Sequence, residues 1–148
     1  AGQEELESKT DFAEKMKTTS KKYKLLLVED VSLNRALIRL WLLHEFVDLH
    51  IVDASNGKEA LEELQKATGA GAPFDIVLMD ISMPIMDGFT CLEEMTKLYG
   101  KNRPPTIAIS TGVMYKHQSS AGAEFDQWWD KTDQSVLLSG MKALMLEI

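Results

Sequence analysis

Residues 74–88 read Phe74-Asp75-Ile76-Val77-Leu78-Met79-Asp80-Ile81-Ser82-Met83-Pro84-Ile85-Met86-Asp87-Gly88. A short continuous apolar run that leads into turn residues suits a fully buried strand. The run ends on an ionisable group, Asp80. In open α/β sheets ligands and chemistry gather outside the carboxyl ends of the strands, so a carboxylate at that place is a candidate reacting group. The Met-Pro and Asp-Gly pairs that follow are turn chemistry, and they hold the chain away from Asp80 until the next helix starts.

Outward from this strand, the chain from Tyr23 onward alternates apolar runs with helical periodicity over short connections, the signature of βαβ units around a parallel sheet. Five rounds are predicted. A strand over residues 23–28 runs into Glu29-Asp30, and Ser32 offers a cap to a helix whose core stripe is Leu33, Leu37, Leu40 and Trp41. Residues 49–52 form the second strand; Asn56 and Glu59 then make a capping-box-like start to a helix buried through Ala60, Leu61 and Leu64. Residues 69–73 break that helix and lead to the strand ending at Asp80. Phe89, Leu92, Met95 and Tyr99 mark a third helix, and Pro104-Pro105 separates it from a strand over residues 106–109. A fourth helix is expected over residues 112–122, where periodicity is weakest. Residues 125–130 form the fifth strand, and Val136, Leu137, Met141, Leu144, Met145 and Ile148 give a closing amphipathic helix. The fold class is α/β. Residues 1–22, rich in Glu and Lys with only Leu6, Phe12 and Met16 for a stripe, read as a linker or leading helix ahead of a domain over 23–148.

Composition narrows the function. At 148 residues and 45% apolar, the chain suits one domain with a real core. A net charge of -7 argues against a nucleic-acid surface, which needs clustered Lys and Arg. Acidity weakly favours divalent metal and basic partner surfaces. Cys91 is the only cysteine, which excludes an internal disulfide and a multi-thiolate metal site and fits a reducing compartment, with the cytoplasm as the expected location. No apolar run is long enough to span a bilayer. His44, His50 and His117 stand away from the strand ends and read as surface or packing residues.

The polar residues at strand ends form one set: Glu29 and Asp30 after the first strand, Asp80 after the third, Ser110 after the fourth, Lys131 after the fifth. A parallel sheet brings all of them to one edge. Three carboxylates at close range repel one another and call for a cation, and oxygen ligands of this kind suit Mg²⁺. Ser110 and Lys131 add a hydroxyl and an ammonium, groups that hold phosphoryl oxygens. The combination makes sense as a phosphoryl-accepting aspartate with its metal and its oxyanion donors.

These residues carry a resemblance. Leu25-Leu26-Leu27-Val28-Glu29-Asp30, then Leu78-Met79-Asp80 with Met83-Pro84 and Asp87-Gly88, then Ala108-Ile109-Ser110 and Lys131, together resemble a response-regulator receiver domain of two-component signalling, from Lys24 to the end of the chain. The intervals from Asp80 to Ser110 and to Lys131 match the family's habit. The resemblance implies a flavodoxin-like, doubly wound sheet of strand order 2-1-3-4-5 with five helices. It implies that Asp80 takes a phosphoryl group from a phosphohistidine on a histidine kinase or histidine phosphotransfer protein. Asp30, Asp80 and the Ser82 backbone carbonyl would ligate Mg²⁺, with Glu29 acting mainly through water. Lys131 would pair with Asp80 at rest and with the phosphoryl group afterwards. Ser110 would bond the loaded group, and Trp128 would be the switch aromatic reporting to the surface of the fourth helix, fifth strand and fifth helix. Strand alternation sends Trp128 and Trp129 to opposite faces, and the sequence leaves open which of them switches. Such a module is a signalling switch that catalyses only its own phosphorylation and dephosphorylation, and dimerisation is left open.

The chain also departs from the family. Thr132 stands where a Pro commonly follows the lysine, which removes the reason to expect a cis peptide there, and Gly112 leaves the site open on one side. The 17 residues after Lys131 suffice for one helix and leave no room for a DNA-binding effector. Asn34-Arg35 together with residues 78–84 looks like receivers attached to hybrid sensor kinases, so the chain is expected to come from such a protein or to stand alone. Two rival readings share parts of the pattern. A pseudo-receiver would keep the fold without the phosphoryl group, against the intact five-residue set. A Mg²⁺-dependent aspartyl phosphatase would need a second acid where Ser82 stands.

Overall fold

The computed structural model describes residues 22–111 and 122–148. The fourth helix expected over 112–122, the leading segment with Leu6, Phe12 and Met16, and His117 lie outside the described residues or, for residue 122, at their edge. Five strands run β1 (Tyr23–Val28), β2 (Leu49–Ala54), β3 (Ile76–Asp80), β4 (Thr106–Ser110) and β5 (Gln127–Asp130). Four helices, α1 (Ser32–Glu45), α2 (Gly57–Gly69), α3 (Gly88–Tyr99) and α4 (Gln134–Glu147), are seen among the described residues. The sheet is parallel throughout, in the order β2-β1-β3-β4-β5.

Side-chain alternation in this sheet makes two cores. Leu25, Leu27, Ile76, Leu78, Ile107, Ile109 and Trp129 face α1 and α4, where they meet Ile38, Leu42, Leu137 and Met141. Leu26, Val28, Val77, Met79 and Ala108 face α2 and α3, where they meet Ala60, Leu64, Cys91, Leu92 and Met95. Every residue from Leu25 to Val28 and from Ile76 to Met79 is fully buried. Full burial of a leucine-sized side chain contributes roughly 1.5–3 kcal/mol, so these central strands contribute a large share of the core's stabilisation.

Three helices start on side-chain caps. Asn56 accepts from the Glu59 amide at 2.9 Å, Asp87 from Thr90 at 2.8 Å and Asp133 from Val136 at 3.1 Å. At α2 the reciprocal arm of the predicted box goes one residue farther back, where the Glu59 carboxylate accepts from the amide and hydroxyl of Ser55. Pairing extends β2 two residues beyond its predicted end and starts β5 two residues later than predicted.

The first helix departs most from its sequence reading. Ser32 does not cap it; Val31 holds the cap position without a side-chain bond. Its buried residues are Ile38 and Leu42, with Trp41 half-buried. Leu33, Leu37 and Leu40, expected in the core, are 75%, 42% and 66% exposed. This helix is apolar on almost every side, so periodicity offers several stripes. The rotation observed buries Ile38 and Leu42 and at the same time lets Arg35 and Arg39 reach Asp53 on β2 and Glu45 pair with Lys142 of α4. In α4, likewise, Val136 is exposed, as is Ile148 just past its end, while Leu137, Met141, Leu144 and Met145 are buried.

Candidate functional site

The register of the sheet assembles the site. Val28 pairs with Met79 and Ser110 with Asp130, so Glu29, Asp30, Asp80, Ser110 and Lys131 all stand at the carboxyl ends of neighbouring strands. One ligand oxygen from each of Glu29, Asp30 and Asp80 lies within 4.8 Å of the others. Glu29 is fully buried and Asp80 nearly so. The Lys131 ammonium closes the cluster, donating to both Glu29 oxygens at 3.1 Å and to Asp80 Oδ2 at 3.3 Å. Asp80 Oδ1 accepts from the Ser82 amide at 3.2 Å.

The electrostatics follow from burial among like charges. Burial first, and the Glu29 carboxylate second, push Asp80 up to about 7 against the opposing pull of Lys131. Burial works against the Lys131 charge, but the Asp80 and Glu29 carboxylates outweigh it and hold its ammonium above the ordinary value. An acid triad, buried at Glu29 and Asp80 and half-buried at Asp30, with one lysine among it carries excess negative charge. That donor set of hard oxygens fits a divalent cation.

The loop after Asp80 is built to stay close to it. A Cβ on Gly88 would lie 2.6 Å from the Asp80 carbonyl oxygen and 2.8 Å from Ile81 Cα, so Gly88 is required for room rather than for a turn dihedral. The Gly88 amide bonds the Ile81 carbonyl, and the Met86 carbonyl accepts from Gly57 at the start of α2. Between these ties the Met86 amide bonds the Pro84 carbonyl at 2.7 Å, a γ-turn centred on Ile85. Ile85 has φ +69° and is 79% exposed, an outlier for a β-branched residue beside the site.

Ser110 is buried at the end of β4, and its carbonyl accepts from the Lys131 amide at 2.8 Å. Strand parity separates the two tryptophans. Trp129 is in the core against α1 and α4, and a Cβ on Gly140 would strike its ring. Trp128 lies on the opposite face with Ala108, its ring 6.0 Å from Phe89 and 5.4 Å from Phe125. Ser110, two residues beyond Ala108, shares that face.

The residues from Leu25 to Asp126 match the family model of the response regulator receiver domain. The chain belongs to that family. This receiver is 36% identical over 99 residues to the sensor histidine kinase CheAY of Helicobacter pylori, covering 67% of this chain and 12% of that protein. It is 35% identical over 105 residues to the aerobic respiration control sensor protein ArcB of Escherichia coli K12, covering 69% of this chain and again 12% of the relative. The receiver therefore spans about one eighth of the length of either relative. In fold it is similar to the receiver domain of sensor histidine kinase PA1611 of Pseudomonas aeruginosa, at a TM-score of 0.69, 20% identity, 84% of this chain and 98% of that one. That structure holds a magnesium ion in its active-site cleft. A receiver domain is the phosphoacceptor switch of two-component signalling, and the fold expected from the sequence, with its strand order, is the fold observed.

Sequence reasoning names Asn34 and Arg35 for their likeness to hybrid-kinase receivers and gives them no place at the site. Asn34 donates to Glu29 Oε1 at 3.1 Å, and Arg35 donates to the Glu29 backbone carbonyl at 2.7 Å. Their pairing with Glu29 depends on how α1 turns back over the end of β1. Cys91 is fully buried, and burial first pushes its thiol up to about 12, so it packs as a small apolar group.

Proposed function

We propose that Asp80 is the phosphoryl acceptor of this receiver and that a phosphohistidine on a histidine kinase or histidine phosphotransfer protein is the donor. One observation carries the reading: three acidic ligand oxygens within 4.8 Å of one another, with the Lys131 ammonium 3.3 Å from Asp80. In the transfer an Asp80 oxygen forms a bond to phosphorus as the phosphorus–nitrogen bond of the donor breaks. The electron pair returns to the imidazole, which takes a proton from solvent. Glu29, Asp30, Asp80 and the Ser82 carbonyl would hold Mg²⁺, which when bound neutralises the acceptor and the incoming oxygens. Lys131 pulls Asp80 toward its charged, nucleophilic form and then turns to a phosphoryl oxygen; Ser110 donates its hydroxyl to another.

The switch is read as a movement of Ser110 toward the loaded group, followed by Trp128 in its contact with Phe89 and Phe125. Its outlet is the surface of β5 and α4, the closing helix; the fourth predicted helix, the remaining part of the expected outlet, lies outside the described residues. The donor has an apolar approach. Val31, Leu33, Leu37 and Leu40 are exposed along α1 leading away from the acid cluster, and Ile85 is exposed on the loop after Asp80. We read the module as 23–148 preceded by a linker, working in the cytoplasm within or alongside a sensor kinase, and turning over no substrate beyond its own phosphoryl group.

Mass measurement after incubation with Mg²⁺ and acetyl phosphate tests the reading. The chain gains one phosphoryl group and Asp80→Asn gains none. An unchanged mass in the native chain, or equal gain in Asp80→Asn, overturns it.

A further inference from the structure

We infer that Asn34 is a positioning residue of the cation site, acting through Glu29; the inference rests on the acid-site reading above. Glu29 is fully buried, and a buried carboxylate needs donors. Lys131 Nζ supplies a contact to each of its oxygens, and Asn34 Nδ2 supplies a third to Oε1 at 3.1 Å. Lys131 divides its ammonium between Glu29 and Asp80, whereas the Asn34 amide is directed at Glu29. In the resting site it is therefore Asn34 that fixes the rotation of the carboxylate toward the cation or its water, and it stays in place when Lys131 turns to the phosphoryl group.

The residue type at 34 suits that task. A neutral amide fixes a carboxylate without cancelling the negative charge that attracts Mg²⁺, whereas a second cation would compete with the ion. The cationic neighbour is directed elsewhere: Arg35 donates to the Glu29 backbone carbonyl at 2.7 Å and lies 3.8 Å from Asp53. Asn34 also occupies the first turn of α1 without capping it, since the cap position is Val31 and carries no side-chain bond. Asparagine is a poor helix former, and its amide here is directed back to the end of β1.

The test titrates Mg²⁺ alone into the unphosphorylated full chain by calorimetry, with melting temperatures measured in EDTA. Partners that orient metal-ligating carboxylates typically carry about 10-fold or more in metal affinity, so Asn34→Ala and the isosteric Asn34→Leu are expected to weaken Mg²⁺ binding about 10-fold. Their unfolding in EDTA stays cooperative, with melting temperatures lowered by no more than about 4 °C, because Lys131 still holds Glu29 in the ion-free state. Asn34→Gln, which keeps the amide, recovers most of the affinity. Native affinity in either folded donor-free variant overturns the role of Asn34. Failure of the native chain itself to bind Mg²⁺ overturns the acid-site reading, and the inference with it.

Discussion

Replacing Asp80 by Asn is expected to make the ion-free protein more stable, increasingly so as pH rises. The carboxyl is displaced from 3.8 to about 7, first by burial and then by Glu29, and at about 1.4 kcal/mol per pH unit this amounts to about 4 kcal/mol. The unfolded chain releases the Asp80 proton near pH 4, while the native chain holds it until about pH 7. Between those values the native state binds the extra proton, so stability falls as pH rises through the window. Below it Asp80 is neutral in both states and the variant gains nothing. Above it the native chain bears the full penalty of an ionised, crowded carboxylate and Asp80→Asn bears none. For a chain of this size about 1 kcal/mol corresponds to about 2–4 °C, so the melting temperatures should separate by about 8–16 °C by pH 8 in EDTA. Thermal unfolding of both proteins from pH 4 to pH 8 measures the gap, and saturating Mg²⁺ should narrow it by stabilising the native chain alone. Parallel stability curves across that range, or a variant less stable than the native chain at pH 8, would refute the claim that charge crowding at Asp80 opposes folding.

Two further substitutions test the packing around the site. Leu42→Ala should destabilise by about 2–5 kcal/mol in urea unfolding, because Leu42 is fully buried, while Leu40→Ala stays within about 0.5 kcal/mol of the native chain because that side chain is 66% exposed. Ile85→Gly should stabilise the fold by about 1 kcal/mol by relieving the cost of a β-branched residue at φ +69°; a loss of stability of that size would show the turn to be unstrained.

The position of the site was legible because parallel sheets carry the carboxyl ends of their strands to one edge. Once residues 23–28, 76–80, 106–110 and 127–130 are strands of one such sheet, Glu29, Asp30, Asp80, Ser110 and Lys131 must be neighbours. Alternation with period two likewise divided Trp128 from Trp129, and the register then showed which of them shares a face with Ser110. The α1 stripe was not legible, for the opposite reason. Leu33, Leu37, Ile38, Leu40, Trp41, Leu42 and Leu43 surround the helix, so no single face stands out, and which of them is buried depends on packing against the sheet and the closing helix.

The sequence alone thus determined the strands and the acid-hydroxyl-lysine set at their ends, since these follow from strand pattern, while the strand order came from the family resemblance. Tertiary structure decided which face of α1 is buried, that Gly88 is needed for room beside the Asp80 carbonyl, and that Lys131 is shared between Glu29 and Asp80 with Asn34 holding the former. Those outcomes depend on side-chain distances between elements as far apart as 102 residues. Periodicity constrains the direction of a side chain along its own element, and only packing between elements sets which partner it meets.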